Sequence, residues 1–380
     1  MKWWLRIPYP WRLGFGLWLG MRLLLWGLSA FLFYSGVMPL ASPFPEAPAA
    51  LNHGLGGALF GTWLRWDGGF YYLILTQGYT ATPTISAFWP LFPLLAKFPV
   101  LLGVHPLISL ILVSNLGFLA AVIIFIEEVQ ELFGAQFMIP AGLALITFPG
   151  SFFFYAPFPM SLALLLVLLS FRFARQQKWF WASLAGLLSG LTHSTVLPLS
   201  IILLIHVLTG WRNHTSKWKW LPLLTPAMPF AGVALFVAWR MNRGFPPLAE
   251  MLGSSWGSSL FNPLAALSQL AISIGMGNFM SILKVVIIGI GLAAIFWLFR
   301  RKQIALSIYQ AGLLIYLVSF TVPNHPLGSF IRYFLLSFPV FMALGVWLQS
   351  KRWLGTLSFS FLAAVNLLLC SFYLAWIFVA

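Results

Sequence analysis

Acidic side chains are nearly missing from this chain. Six of its 380 residues are Asp or Glu, against 21 Lys and Arg, and the one aspartate is Asp67. So isolated a carboxylate contrasts with the usual glycosidase arrangement, which needs an acid and a second carboxylate on either side of the scissile bond. The single cysteine, Cys370, lies in an apolar run, which excludes an intramolecular disulfide and a thiolate metal site and makes it a packing residue. His53, His105, His206, His214 and His325 show no spacing that pairs them with carboxylates, so no metal and no other cofactor is expected. Internal repeats are also missing, and with them the inverted-repeat signature of many secondary transporters. Charged residues make up only 7%. A chain that is 61% hydrophobic with mean hydropathy +0.94 cannot fold as a water-soluble monomer.

What is present is a succession of long apolar runs. Read as helices of membrane-spanning length, they fall near 13–37, 107–126, 137–154, 159–174, 179–194, 196–210, 220–240, 283–299, 304–321, 330–348 and 354–377. That makes about eleven spans in an all-α polytopic membrane protein. The boundary between His193 and Pro198 is the weakest, where two short spans form a tight hairpin or a broken pair. The net charge of +15 reads as membrane orientation rather than nucleic-acid binding. With the N-terminus cytoplasmic, the inside segments hold Lys2, Arg6 and Arg12; Arg172, Arg175 and Lys178; Arg212, Lys217 and Lys219; Arg300, Arg301 and Lys302; and Lys351 and Arg352. Arg65, Lys97, Arg240, Arg243, Lys284 and Arg332 then fall toward the outer side, as does the C-terminus. Arg22 falls inside the first span. Because that span carries Arg22 and runs to about Met38, it reads as a retained helix rather than a cleaved signal.

The whole of 1–380 reads as one integral membrane domain with two long outer loops, 38–106 and 241–282. The first opens with the Pro-rich stretch Pro39 to Pro48. It also holds Ala87-Phe88-Trp89-Pro90-Leu91-Phe92-Pro93-Leu94-Leu95, which suits a helix lying in the membrane interface. Gly16/Gly20 and Gly186/Gly190 are small-residue pairs that allow helices to pack closely.

Asp67 stands in this first outer loop, in Arg65-Trp66-Asp67-Gly68-Gly69-Phe70-Tyr71-Tyr72. An ionisable group at the membrane rim is costly unless solvated or paired, which makes it a functional candidate. Gly68 and Gly69 permit a tight turn and close approach of a ligand to the backbone. Trp66, Phe70, Tyr71 and Tyr72 offer flat faces on which sugars stack, and they suit an aromatic belt equally. Asp67 also suits the cap of a helix from Gly68 toward Gln77, a role compatible with chemistry. Arg22 needs a partner inside the membrane, either a lipid phosphate or a backbone carbonyl.

These residues, followed by Gly78-Tyr79 and Ala87 to Leu94, resemble the first outer loop of the PIG-V-type mannosyltransferases, a family with many bacterial relatives. The resemblance continues in order through Phe148-Pro149-Gly150-Ser151-Phe152-Phe153-Phe154 with Ala156-Pro157, Gly186 to Thr195, Ile331-Arg332-Tyr333 and Phe338-Pro339. It implies the GT-C architecture, a polyprenyl-phosphate sugar donor, an acceptor on the extracytoplasmic face, inversion at the anomeric carbon, and Asp67 as the catalytic base. One carboxylate suffices for that chemistry, because a phosphate leaves without an acid's help and needs only cations. Arg332 is the first candidate cation, since a guanidinium grips phosphate with two parallel hydrogen bonds. A snorkelling interfacial arginine is the competing role. Arg65, Arg22, Lys284 and His325 are further candidates for the donor phosphate. Trp66, Gly68, Gly69, Tyr71, Tyr72 and His193 are candidates for the lining.

Two positions depart from the family pattern. Met160 follows the Ala-Pro pair where relatives often carry an acid, and His193 stands where many carry Arg. Two other functions stay open: a lipid or solute transporter or flippase, which would explain the span count and Arg22, and a non-catalytic protein that binds lipid phosphate, consistent with Met160. The short chain and the lack of a terminal retrieval address favour a bacterial inner membrane. The partners expected are the lipid-linked donor, an unidentified acceptor and membrane lipids, with no nucleic acid.

Overall fold

The computed structural model describes residues 7–38, 51, 53–80, 83–210, 221–257, 259–260, 262–322, 325–349 and 352–379. The stretch from Pro39 to Pro48 and the basic residues around His214 lie outside the described residues. The helices are α1 (Tyr9–Tyr34), α2 (Gly54–Leu59), α3 (Asp67–Gln77), α4 (Leu91–Leu101), α5 (Pro106–Phe133), α6 (Met138–Thr147), α7 (Met160–Arg175), α8 (Trp179–Gly190) and α9 (Leu199–Gly210). They continue with α10 (Leu221–Leu224), α11 (Met228–Asn242), α12 (Leu248–Trp256), α13 (Pro263–Gly275), α14 (Phe279–Arg300), α15 (Ile304–Val318), α16 (Phe330–Phe334), α17 (Phe338–Gln349) and α18 (Arg352–Leu374). Ser259–Leu260 and Phe320–Thr321 pair as a two-residue antiparallel bridge, Ser259 opposite Thr321. Among the described residues the regular structure is otherwise helical, as the apolar runs predict.

Among the described residues, five helices are long and apolar enough to cross a membrane: Tyr9–Tyr34, Pro106–Phe133, Pro222–Asn242, Phe279–Arg300 and Trp353–Leu374. The other expected spans contain helices too, but shorter ones, and local chemistry explains where they stop. α6 ends at Thr147 because Pro149 and Gly150 follow, Gly150 with φ 91°. The expected span 330–348 is split into α16 and α17, since Pro339 cannot donate to the turn before it and its ring excludes that turn's carbonyl. Between α8 and α9 the chain passes through a short 3-10 turn, Ser194–Val196, at the boundary that the sequence marks as weak. The interfacial helix expected over Ala87 to Leu95 begins later, at Leu91. It buries Phe92, Pro93 and Ala96 and exposes Leu94, Leu95 and Phe98.

The chain forms two compact units. Unit 1 comprises 1–81, 91–165 and 341–379; unit 2 comprises 82–90 and 166–340. Within unit 1, the start of α1 lies beside the end of α5, where Trp11 Nε1 donates to Glu127 Oε1 at 2.8 Å. Three polar side chains of its apolar helices bond the backbone of one loop. Asn115 Nδ2 donates to Tyr155 O at 3.1 Å and Ser114 Oγ to Phe158 O at 3.2 Å, while Asn366 Oδ1 accepts from Phe152 N at 3.3 Å. Together they fix the Phe148 to Pro159 segment against α5 and α18.

Within unit 2, α8 and α11 touch backbone to backbone. A Cβ on Gly190 would lie 2.2 Å from Pro229 O, and one on Gly232 would lie 2.1 Å from Leu187 O. The Gly186/Gly190 pair is thus used for internal packing. Gly16 and Gly20 are different: no described atom comes within 4 Å of a Cβ placed there.

Candidate functional site

The Asp67 turn belongs to unit 1 and is built from five residues, Arg65 to Gly69. Gly68 N donates to Arg65 O at 3.0 Å and Gly69 N to Trp66 O at 2.9 Å, closing a turn in which Trp66 has φ 53° and ψ −133°. That is a conformation a side chain rarely adopts, and it persists only where the surroundings impose it. They do so from several directions. Arg65 is 3% exposed; its Nε donates to Leu374 O at 2.9 Å and its guanidinium lies 4.9 Å from the Trp376 ring centre. The Trp66 ring packs on Trp376 at 5.6 Å and on Phe378 at 5.4 Å. Tyr373 donates its hydroxyl to Trp63 O at 2.9 Å. The end of α18 therefore lies with the Asp67 turn.

On the other side, Gly68 meets the loop before α7. A Cβ at Gly68 would come to 2.9 Å from Pro157 Cγ, so only glycine allows this approach. Two stretches that sequence reading linked only by their order, Arg65 to Tyr72 and Ala156-Pro157, are thus in contact. Met160 begins α7 just beyond, 1% exposed.

Asp67 is the first residue of α3 and is half-buried. The cap position falls on Trp66, whose side chain makes no cap hydrogen bond, so the expected helix from Gly68 capped by Asp67 is corrected by one residue. An aspartate in the first turn suits the positive end of the helix dipole. Of the expected lining residues, Gly68 and Gly69 are buried, and Tyr71 is a core residue, 2% exposed with Phe92 edge-on at 5.1 Å. Trp66 and Tyr72 are half-buried, Tyr72 near the His105 ring at 6.3 Å.

The arginines expected near a phosphate differ sharply. Burial pushes Arg65 down to about 10, which still leaves it cationic at neutral pH, and its known bonds hold backbone. Arg22 is 1% exposed on α1, its guanidinium 4.5 Å from the Trp26 ring, 5.0 Å from Trp63 and 5.9 Å from Tyr155.

Unit 2 gathers the remaining candidates around the turn before α16. Arg332, 7% exposed, donates from one terminal nitrogen to Ser329 Oγ at 3.0 Å and to the Tyr333 hydroxyl at 2.9 Å. Lys284 Nζ donates to Pro326 O at 3.0 Å, in the same turn, which passes through Leu327 at φ 52° and Ser329 at φ 63°. Burial, with Lys284 as the second cause, holds His325 below the usual histidine range. His193 packs on Tyr333 at 4.7 Å and on Trp89 at 5.9 Å, while its Nδ1 accepts from Thr195 N at 3.2 Å. Arg240, the weaker candidate, is 2% exposed and donates to Ser86 Oγ and Pro246 O, pinning the segment 83–90 to α11.

Sequence reading missed Asn115, Asn366 and Tyr373. The two asparagines had a signal, a lone amide inside an apolar helix, which must find a partner. Tyr373 had none. Among the described residues no three His, Cys, Asp or Glu side chains are placed to hold a metal ion.

No protein-family model matches the chain, and no curated protein does. Among solved structures it is similar to the archaeal oligosaccharyltransferase AglB from Archaeoglobus fulgidus in complex with an inhibitory peptide and a dolichol-phosphate. The TM-score is 0.42 at 14% identity, over 93% of this chain and 55% of that one. It is also similar to the Archaeoglobus fulgidus oligosaccharyltransferase in complex with Zn and sulfate, with a TM-score of 0.39 at 14% identity, over 93% and 52%. The chain spans about half the length of these structures.

Proposed function

We propose that this protein is a GT-C-type membrane glycosyltransferase. It moves a hexose, mannose by the resemblance of its motifs, from a polyprenyl-phosphate donor to an acceptor hydroxyl on the extracytoplasmic face. The observation that carries this proposal is the seating of the one aspartate. Asp67 is half-buried at a helix start, on a turn strained at Trp66 and braced by Arg65, Trp376 and Pro157. A base must be held in position and keep access to its proton. Asp67 takes the acceptor proton, the hydroxyl displaces the phosphate in one step, and the anomeric configuration inverts.

Within unit 2, the Arg332 group has phosphate-binding chemistry: a guanidinium set by Ser329 and Tyr333, and Lys284 on the same turn. The lipid phosphate is assigned to it, with side-chain cations in place of a metal. The proposed setting is a bacterial inner membrane, N-terminus inside and C-terminus outside.

The test is transfer from polyprenyl-phosphate [3H]mannose in membranes carrying the native chain or Asp67→Asn. Undiminished transfer by the variant refutes the assigned base. The buried Met160, where members of the family it resembles often carry an acid, is consistent with one other function, binding of lipid phosphate without turnover. Saturable binding of polyprenyl phosphate with no transfer from any sugar donor would establish that instead.

A further inference from the structure

Arg22 occupies an unusual place for an arginine in a membrane helix. It is 1% exposed, and its three guanidinium nitrogens make no hydrogen bond among the described residues. Three ring faces surround it instead, those of Trp26, Trp63 and Tyr155. The attraction of a cation to aromatic faces grows when both are desolvated, so the cage offsets part of the cost of burying this charge. A neutral side chain of similar length would carry no such cost, since it has no charge to take out of water. Stability alone does not account for Arg22.

Where the cage rings lead suggests another role. Trp26 is on α1 with Arg22, and its Nε1 donates to Leu59 O at 3.1 Å. Trp63 closes the 3-10 turn before the Asp67 turn, and its carbonyl accepts from Arg65 N at 2.9 Å and from Tyr373. Tyr155 lies two residues before Pro157, the proline that packs against Gly68, and its hydroxyl donates to Trp18 O at 3.1 Å. The guanidinium therefore touches both segments that flank the Asp67 turn, one on the Trp63 side and one on the Pro157 side. With Arg22 only 1% exposed, a phosphate ligand would reach it only if its surroundings moved.

We propose that Arg22 is a positioning residue for Asp67, a cation in an aromatic cage that sets the Trp63 segment against the Tyr155 segment and so fixes where the carboxylate stands. This rests on the proposed function for its catalytic consequence, but not for its geometry.

Two measurements test it. In the first, Arg22→Met and Arg22→Lys are compared with the native chain for thermal unfolding in detergent and for transfer from polyprenyl-phosphate [3H]mannose. Positioning predicts that Arg22→Met unfolds no earlier, loses roughly tenfold to a hundredfold in kcat and keeps its KM for the donor, with partial rescue by Arg22→Lys. A raised donor KM at unchanged kcat would make Arg22 a phosphate ligand and overturn the proposal. In the second, Asp67→Cys is labelled with a membrane-impermeant maleimide, with and without Arg22→Met, in chains whose buried Cys370 has been replaced by Ala. A several-fold change in labelling rate supports the clamp, and equal rates in both backgrounds overturn it. If the native chain transfers no hexose from this donor, the proposed function fails, and the labelling alone decides the positioning role.

Discussion

Trp66 and Trp376 pack ring to ring at 5.6 Å, and both hold backbones with positive φ, 53° and 63°. Such conformations cost of order 1–3 kcal/mol each for a residue with a side chain. Two strained tryptophans in contact, one directly before the lone aspartate and the other just past α18, indicate that their packing and the Arg65 bond to Leu374 O offset the strain. The geometry around Asp67 is thus held by the far end of the chain.

Removing that brace should loosen the turn. Trp376→Ala deprives both Trp66 and Arg65 of a ring partner and is expected to cost about 1–3 kcal/mol with a fall in transfer rate. Trp376→Phe should retain most of both. Thermal unfolding in detergent, read beside the transfer assay, decides; an unchanged Trp376→Ala protein would show that the ring contact does not support the turn.

Asp67→Asn preserves shape and removes the base. Transfer should fall roughly 10²- to 10⁴-fold, the usual contribution of a general base, with unfolding temperature unchanged. Asp67→Glu keeps the charge but lengthens the arm, so it should recover only part of the rate.

Gly68→Ala forces a methyl group against Pro157 Cγ. Overpacking of this kind costs about 1–3 kcal/mol and should shift α3 at its first turn, where Asp67 stands. Adding Pro157→Ala makes room, and the double variant should regain transfer. Two losses that simply add would mean that the two residues do not meet.

Gly190→Ala should destabilise by at least about 1–3 kcal/mol, because its Cβ points at Pro229 O across the α8–α11 contact and backbone cannot yield as a side chain can. Gly16→Ala, with open space at its Cβ, should be close to neutral. Unfolding temperatures that rank the two the other way would contradict the packing.

Arg332→Lys keeps the charge but loses the planar guanidinium, one terminal nitrogen of which bonds both Ser329 and Tyr333. Binding of polyprenyl phosphate should weaken in Arg332→Lys and further in Arg332→Gln. Equal affinity for all three proteins would remove Arg332 from the phosphate role.

Much of the fold was legible because hydrophobic runs report burial in lipid directly. Each expected span contains a helix. The ends were less legible, since Pro149 follows the end of α6 and Pro339 breaks the run between α16 and α17, inside stretches whose hydropathy continues unbroken. Hydropathy measures transfer to lipid and is blind to a missing N–H.

The candidate site was legible in one respect. A carboxylate beside glycines and aromatics singled out Asp67 as a candidate, whereas Ala156-Pro157 was linked to it only by motif order, and the contact with Gly68 came from the tertiary structure. The lining was less so: Tyr71 and Tyr72 are neighbours with the same chemistry, yet one is packed on Phe92 and the other half-buried. That difference comes from α3 turning 100° per residue against neighbours that adjacent positions cannot reveal.

From residue types and their order alone come the membrane character, the helical class, the scarcity of acids and the singularity of Asp67. These depend on transfer free energies and on counting, which need no partner. The tertiary structure decided what each arginine does: Arg65 holds a carbonyl 309 residues away, Arg22 sits in a cage of three rings, Arg240 grips Ser86, and Arg332 meets a serine and a tyrosine. A guanidinium on a long flexible stem has no preferred partner written in its neighbours. Only packing brings it the ring or the carbonyl that fixes its role.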